Sequence, residues 1–357
     1  MQLLARPGRA RDLGVLQWDG LLRVARKEKL LSRLGAILGD DPALLADCPA
    51  AVREMFRAAQ AYPLLVQARA LWEVREVLAA TSDLAVDFIL LKGVAYLHLG
   101  LTLAKARTFA DVDVLVPETE LPGVERRLLA AGWEHQQIHP YDQRYYREWM
   151  HEIPPLRHWE RQIEVDLHHR ILPRTSRLVS KPALLWEASL PVAPRLRALA
   201  PADLVLHCAA HLFYDGEIKG GFRDLLDLHQ MLVHYGCSDP GFWGVLIERA
   251  RLLDLGRPLY YAVQFCRELL DTPVPTQVQD SLTVWAPPPV AAVLMRLLVR
   301  RVLPPRDIGT RAPLLSEWLL YIRSHWLRMP PWLLAKHLLR KALRRLTKRV
   351  STQPAAE

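Results

Sequence analysis

The chain has 357 residues, 51% hydrophobic and 24% charged, with 27 prolines, which suits two domains or one elaborated domain. That composition excludes collagenous, disordered and many-span membrane classes. The net charge of +9 is concentrated: from Arg300 to Glu357 there are thirteen Lys and Arg against three Asp and Glu, so any signal for an acidic partner belongs to the tail, not to the body.

At the N-terminus, Arg6, Arg9, Arg11 and Asp12 interrupt the apolar stretch that a secretory leader requires. The four cysteines, Cys48, Cys208, Cys237 and Cys266, form no C-x-x-C pair and read as core residues in a reducing, cytoplasmic setting. Residues 1–80 read as a helical region, with apolar residues at three- and four-residue spacing. The character changes at Val86. Val86 to Leu91 is a short apolar run that predicts a buried strand, and it stops at Lys92-Gly93 before a helix-compatible segment. Asp111 to Val116 predicts a second strand and Ile163 to Leu167 a third, with a helix between them that ends near Ala131-Gly132. Strand, helix, strand, helix, strand over residues 81–175 predicts an α/β (α+β) core with a mixed sheet, embedded in a largely helical chain.

After Pro173 the pattern is helical almost to the end, with Pro-rich breaks at Pro191/Pro194, Pro273/Pro275, Pro287 to Pro289 and Pro304/Pro305, giving a helical domain over 176–300 and a basic helical region over 301–357 with a short disordered tail. The longest uncharged run, Ser281 to Met295, holds three consecutive prolines and is too short to span a bilayer. Residues 331–350 read as a basic amphipathic helix. It suits an anionic membrane surface, nucleic acid, or simple docking by its leucine stripe.

The chemistry is carried by carboxylates. A period of two puts Asp111 and Asp113 on one face of their strand, with Val112 and Val114 on the other. Two such charges about 4 Å apart repel by about 4 kcal/mol at an effective dielectric near 20, so the pairing calls for a cation. Hard oxygen ligands suit magnesium or manganese. In the third strand Glu164, Asp166 and His168 share a face, and Asp166 can join the pair if the two strands are neighbours. Three such carboxylates can hold two metal ions, which activate an attacking oxygen and stabilise a leaving one.

The sequence L-L-K-G at Leu90 to Gly93, R-x-x-x-D-x-D-x-L-V at Arg107 to Val116, and E-V-D-L-H-H at Glu164 to His169 together resemble the bacterial uncharacterised nucleotidyltransferase family, within the superfamily that includes DNA polymerase beta. The resemblance extends over about residues 60 to 235. It implies catalytic and metal-binding roles for Asp111, Asp113 and Asp166, a nucleotide-binding role for Lys92, Gly93 and Arg107, and Mg2+ or Mn2+ as cofactor. Lys92-Gly93 stands where the wider superfamily has Gly-Ser; a helix start there attracts phosphate and Lys92 adds a point charge. Arg107 is a candidate for a triphosphate oxygen, or for an ion pair orienting Asp111 or Asp113.

Other polar residues have plainer readings. Asp203, His207 and His211 share a helix face and read as structural rather than as a zinc site. His168 either meets substrate or orients Asp166, and Arg223, Asp224 and Asp227 either approach the nucleotide or pair within their helix. The expected activity is transfer of a nucleoside monophosphate from a nucleoside triphosphate to an unknown acceptor (small molecule, peptide, protein or RNA), with release of pyrophosphate. The alternative is a non-catalytic nucleotide- or partner-binding module whose basic helix contacts membrane or nucleic acid. A cytoplasmic location is expected, with the inner membrane surface as the second address.

Overall fold

The computed structural model describes residues 2–109, 111–136, 140–179, 181–215, 218–306 and 309–335. At its centre is a seven-stranded sheet of β1 (Phe88–Leu90), β2 (Asp111–Leu115), β3 (Trp133–His135), β4 (Leu156–His158), β5 (Glu164–His168), β6 (Leu190–Ala193) and β7 (Leu196–Ala198). The order is β3-β4-β5-β2-β1-β7-β6. The β2/β5 and β1/β7 pairs are parallel and the others antiparallel, so the sheet is mixed, as the sequence predicts.

The three expected strands occupy the middle for a physical reason. Phe88, Ile89 and Leu90 are all buried, and so are Val112, Val114, Val165 and Leu167. A run that is apolar on both faces can only be an interior strand. The alternating strands bury their valines and leave the opposite face for carboxylates. One continuous hydrophobic core extends from Leu3 to Leu320.

The hairpin of β6 and β7 lies at the Pro191/Pro194 break in the helical pattern after Pro173, where the sequence predicts no strands. Arg195 sits in its turn with φ of 61°. The guanidinium donates to the carbonyls of Leu78 (3.0 Å), Thr81 (2.7 Å) and Val86 (3.1 Å). These include carbonyls at the end of the 31-residue Ala50–Ala80 helix, which lack partners within the helix. A capping requirement of a distant helix thus fixes the hairpin. The strands β3 and β4 are likewise unforeseen: Trp133 is buried, with Arg161 4.5 Å over its ring, and Arg161 also donates to the buried Glu73 at 2.7 Å.

A second buried cross-link joins the helical layers to the sheet. Asp227, fully buried in the Phe222–Ser238 helix, accepts from Arg107 Nε at 2.7 Å and from Arg33 of the Leu31–Gly39 helix. Of the cysteines, Cys48, Cys208 and Cys266 are buried as expected, whereas Cys237 is exposed. Among the described residues no single helix is long and apolar enough to cross a membrane. Of the expected basic helix at 331–350, residues 331–335 are helical; Leu333 and Leu334 join Met329 in a small buried cluster against Tyr145 and Trp149. The rest of that segment lies outside the described residues.

Candidate active site

The register of β2 on β5 builds the site. Asp113 pairs directly with Asp166, and Asp111 with Glu164, two residues towards the strand starts. Parallel neighbours lie about 4.8 Å apart, so same-face side chains meet. Asp111, Asp113 and Asp166 each offer a carboxylate oxygen within 4.8 Å of the other two. At that separation each pair of charges repels by roughly 3–4 kcal/mol at an effective dielectric of 20.

Two neighbours partly neutralise the cluster. Lys92, the first residue of the Lys92–His98 helix that follows β1, donates its Nζ to Asp113 Oδ1 at 2.7 Å. It adopts a left-handed backbone, φ 46°, which costs a non-glycine residue roughly 1–2 kcal/mol and persists where the surrounding structure fixes it. Gly93 follows because a Cβ there would stand 2.7 Å from Arg107 Nη1 and 2.8 Å from Phe109 Cδ1. His168 Nε2 lies 3.0 Å from the same Asp113 oxygen, so its partner is Asp113, not the Asp166 that the sequence suggested.

These contacts separate the acids electrostatically. Burial works against the Asp113 charge, but Lys92 and His168 override it and hold the carboxyl well below the usual range. Burial also opposes the Lys92 ammonium, and Asp113 outweighs it, raising the lysine above its ordinary value. Asp166 goes the other way: burial, then the charges of Asp113 and Glu152, push it up to about 9. Its Oδ1 is buried with no hydrogen-bond partner among the described residues. An orphaned, crowded carboxylate beside two others is the environment that a hard divalent cation relieves, so these residues fit such an ion.

A pH dependence follows. Between the ordinary carboxylate range and about 9, the folded chain without metal keeps a proton on Asp166 that the unfolded chain has lost. Stability therefore falls as pH rises through that window. Bound metal needs the carboxylate and releases the proton. Apparent Mg2+ or Mn2+ affinity, followed by melting from about pH 6 to 8, is expected to rise up to about tenfold per unit. A flat profile would show that Asp166 is not the proton-carrying ligand.

The remaining predicted residues have partners of their own. Arg107 is buried, pairs with Asp227, and lies 3.7 Å from Asp224; it orients neither Asp111 nor Asp113. Asp203 accepts two hydrogen bonds from Arg249, at 2.8 and 2.7 Å, and His211 Nδ1 lies 3.5 Å from Asp224, which dissolves the helix-face trio as a metal site. Buried His207 is held well below its ordinary pKa by burial and then by Lys92. Glu164 faces Gln136 and Arg157. Arg223 donates to the Thr108 carbonyl at 2.9 Å.

The sequence reading missed Glu152, which an isolated antiparallel bridge to His168 brings beside the acids. With His151 and His168 it forms a second group able to hold a metal ion. No fixed spacing announces it, because a loop delivers it.

A family model described as an uncharacterised nucleotidyltransferase matches residues 15–271. No curated protein and no solved structure matches the chain. The matched span includes β1, β2 and β5 and all three clustered acids. The chain therefore belongs to the uncharacterised nucleotidyltransferase family.

Proposed function

We propose that the protein transfers a nucleoside monophosphate from a nucleoside triphosphate to an acceptor hydroxyl or phosphate. The acceptor oxygen bonds to the α-phosphorus as the bond to the β-phosphate breaks, and pyrophosphate leaves. Asp111, Asp113 and Asp166 are the residues proposed to hold Mg2+ or Mn2+, which when bound neutralises phosphate charge and polarises the attacking oxygen. The single supporting observation is the convergence of three carboxylates, one with an orphaned buried oxygen, through the β2/β5 register.

The chain's own groups do the rest by placement and charge. Asp113, held ionised by Lys92 and His168, is the fixed anionic centre. Asp166 stands at its side to help take the acceptor proton. Lys92 supplies a positive charge for the triphosphate, and Gly93 leaves only backbone at the helix start. Arg107 is read as a positioning residue that anchors the segment entering β2, since its guanidinium is engaged with Asp227.

The test is metal-linked nucleotide binding. A ligand specific for the native state stabilises it by about 2.7 kcal/mol at a hundredfold excess over its dissociation constant. Melting with magnesium and a non-hydrolysable triphosphate is expected to shift the wild type upward and to leave Asp111→Asn/Asp113→Asn unmoved. Equal shifts in both proteins would reject the metal site.

A further inference from the structure

We infer that the cleft beside Asp111 is a phosphate-binding subsite furnished by the N-terminal helices; it rests on the reading above in that the phosphate belongs to one of the two substrates. The cleft, about 340 Å3, is lined by Arg26, Lys29, Tyr62, Thr108, Asp111 and Arg223 among others. Asp111 joins it to the acid cluster, and three cations line it beside that one carboxylate: Arg26 on the Val15–Lys27 helix, Lys29 in the turn after it and Arg223 on the Phe222–Ser238 helix. That charge balance suits a polyphosphate and opposes a cationic or neutral ligand.

Two observations point to a ligand. Thr108 is 9% exposed, and its Oγ1 has no hydrogen-bond partner among the described residues. A buried hydroxyl without a partner is unfavourable, and phosphate oxygen is an acceptor it could serve. The second is the pattern of pairing along the Val15–Lys27 helix and its end. Arg23 meets Asp19 at 3.1 Å and Lys27 meets Glu28 at 3.8 Å. Arg26 and Lys29, two of the cations lining the cleft, differ: among the described residues neither has a carboxylate within 4.0 Å, and Arg26 donates only to Met55 Sδ at 3.4 Å. Tyr62, 62% exposed, adds an aromatic ring on which a base can stack.

The decisive comparison is among the wild type, Arg26→Gln/Lys29→Gln, Thr108→Val and, as a control, Arg23→Gln. One probe is inorganic pyrophosphate in chelator, which asks about the cleft without any metal. The other is the set of non-hydrolysable analogues of ATP, GTP, CTP and UTP with magnesium. The double variant is expected to bind at least one probe about tenfold or more weakly, as loss of charged hydrogen bonds predicts. Thr108→Val should follow in the same direction and Arg23→Gln should match the wild type.

Weaker nucleotide binding identifies the phosphate as the triphosphate of the donor; weaker pyrophosphate binding with unchanged nucleotide affinity identifies a phosphorylated acceptor. Affinities within twofold of wild type for both probes overturn the subsite, including the case where the double variant merely melts lower because its cations served the helix end. Asp111→Asn/Asp113→Asn separates the two readings. A failed metal site with intact loss on Arg26→Gln/Lys29→Gln leaves the cleft standing, and the reverse leaves the metal site standing.

Discussion

Asp113→Asn is expected to lower transfer of labelled nucleotide by about a thousandfold. Asp113 is the acid on which the others depend: Lys92 at 2.7 Å and His168 at 3.0 Å converge on one oxygen, and Asp166 is its direct partner across the sheet. Removing one preorganised charge-stabilising group in an active site costs about 10²–10³ in turnover, and this one would serve metal and phosphate together. Asn keeps the shape and an acceptor oxygen for Lys92 and His168, so the fold should survive and the melting temperature should change little. It also removes a charge that raises Asp166, and the pH dependence of stability should flatten with it. Turnover is read by incubating wild type and variant with labelled nucleoside triphosphates and cell extract, and counting the label acquired. A variant as active as the wild type would remove Asp113 from the chemistry.

The largest effect on stability is expected at Asp227. Its carboxylate is fully buried between Arg33 and Arg107, which are 3% and 5% exposed. Asp227→Ala leaves the buried Arg33 guanidinium without its counter-charge and Arg107 with only Asp224 at 3.7 Å, and breaking a buried pair in this way costs about 3–5 kcal/mol. A melting-temperature drop on the order of 5–10 °C should result. The exposed pair of Arg6 with Asp271, 67% and 54% exposed, is the contrast: Asp271→Ala should shift melting by little, since surface pairs contribute about 0–1 kcal/mol. Equal, small shifts in both variants would mean that the three segments meeting at Asp227 are held by apolar packing alone.

The strands and acids that the sequence revealed share a local signal. In β2, the alternation of Asp111, Val112, Asp113 and Val114 states which face packs into the apolar core, and β5 repeats it with Glu164, Val165, Asp166 and Leu167. Once both are recognised as strands, their adjacency brings the acids together. The strands β3, β4, β6 and β7 have three or four residues each, and β6 contains Pro191. Segments so short carry no period, and pairing with neighbours, not propensity, makes them strands. The same limit hid Glu152, which only a bridge to His168 places. Arg26 and Lys29 precede Asp111 by more than eighty residues and come beside it through helix packing. The motif position of Arg107 likewise says nothing about the partner it meets on the Phe222–Ser238 helix.

The parallel pairing of β1 with β7 has a consequence for biosynthesis. The edge of β1 that faces β7 is filled by residues 196–198, more than a hundred positions after Phe88. At about 5–20 residues per second, a ribosome needs roughly 5–20 s to supply them after β1 has been made. During that interval Phe88-Ile89-Leu90 presents an unpaired apolar edge, the kind of template on which nascent chains aggregate. Slowing translation between codons 90 and 200 should therefore lower soluble yield and increase retention by holdase chaperones, while the same slowing after codon 200 should be harmless to this edge.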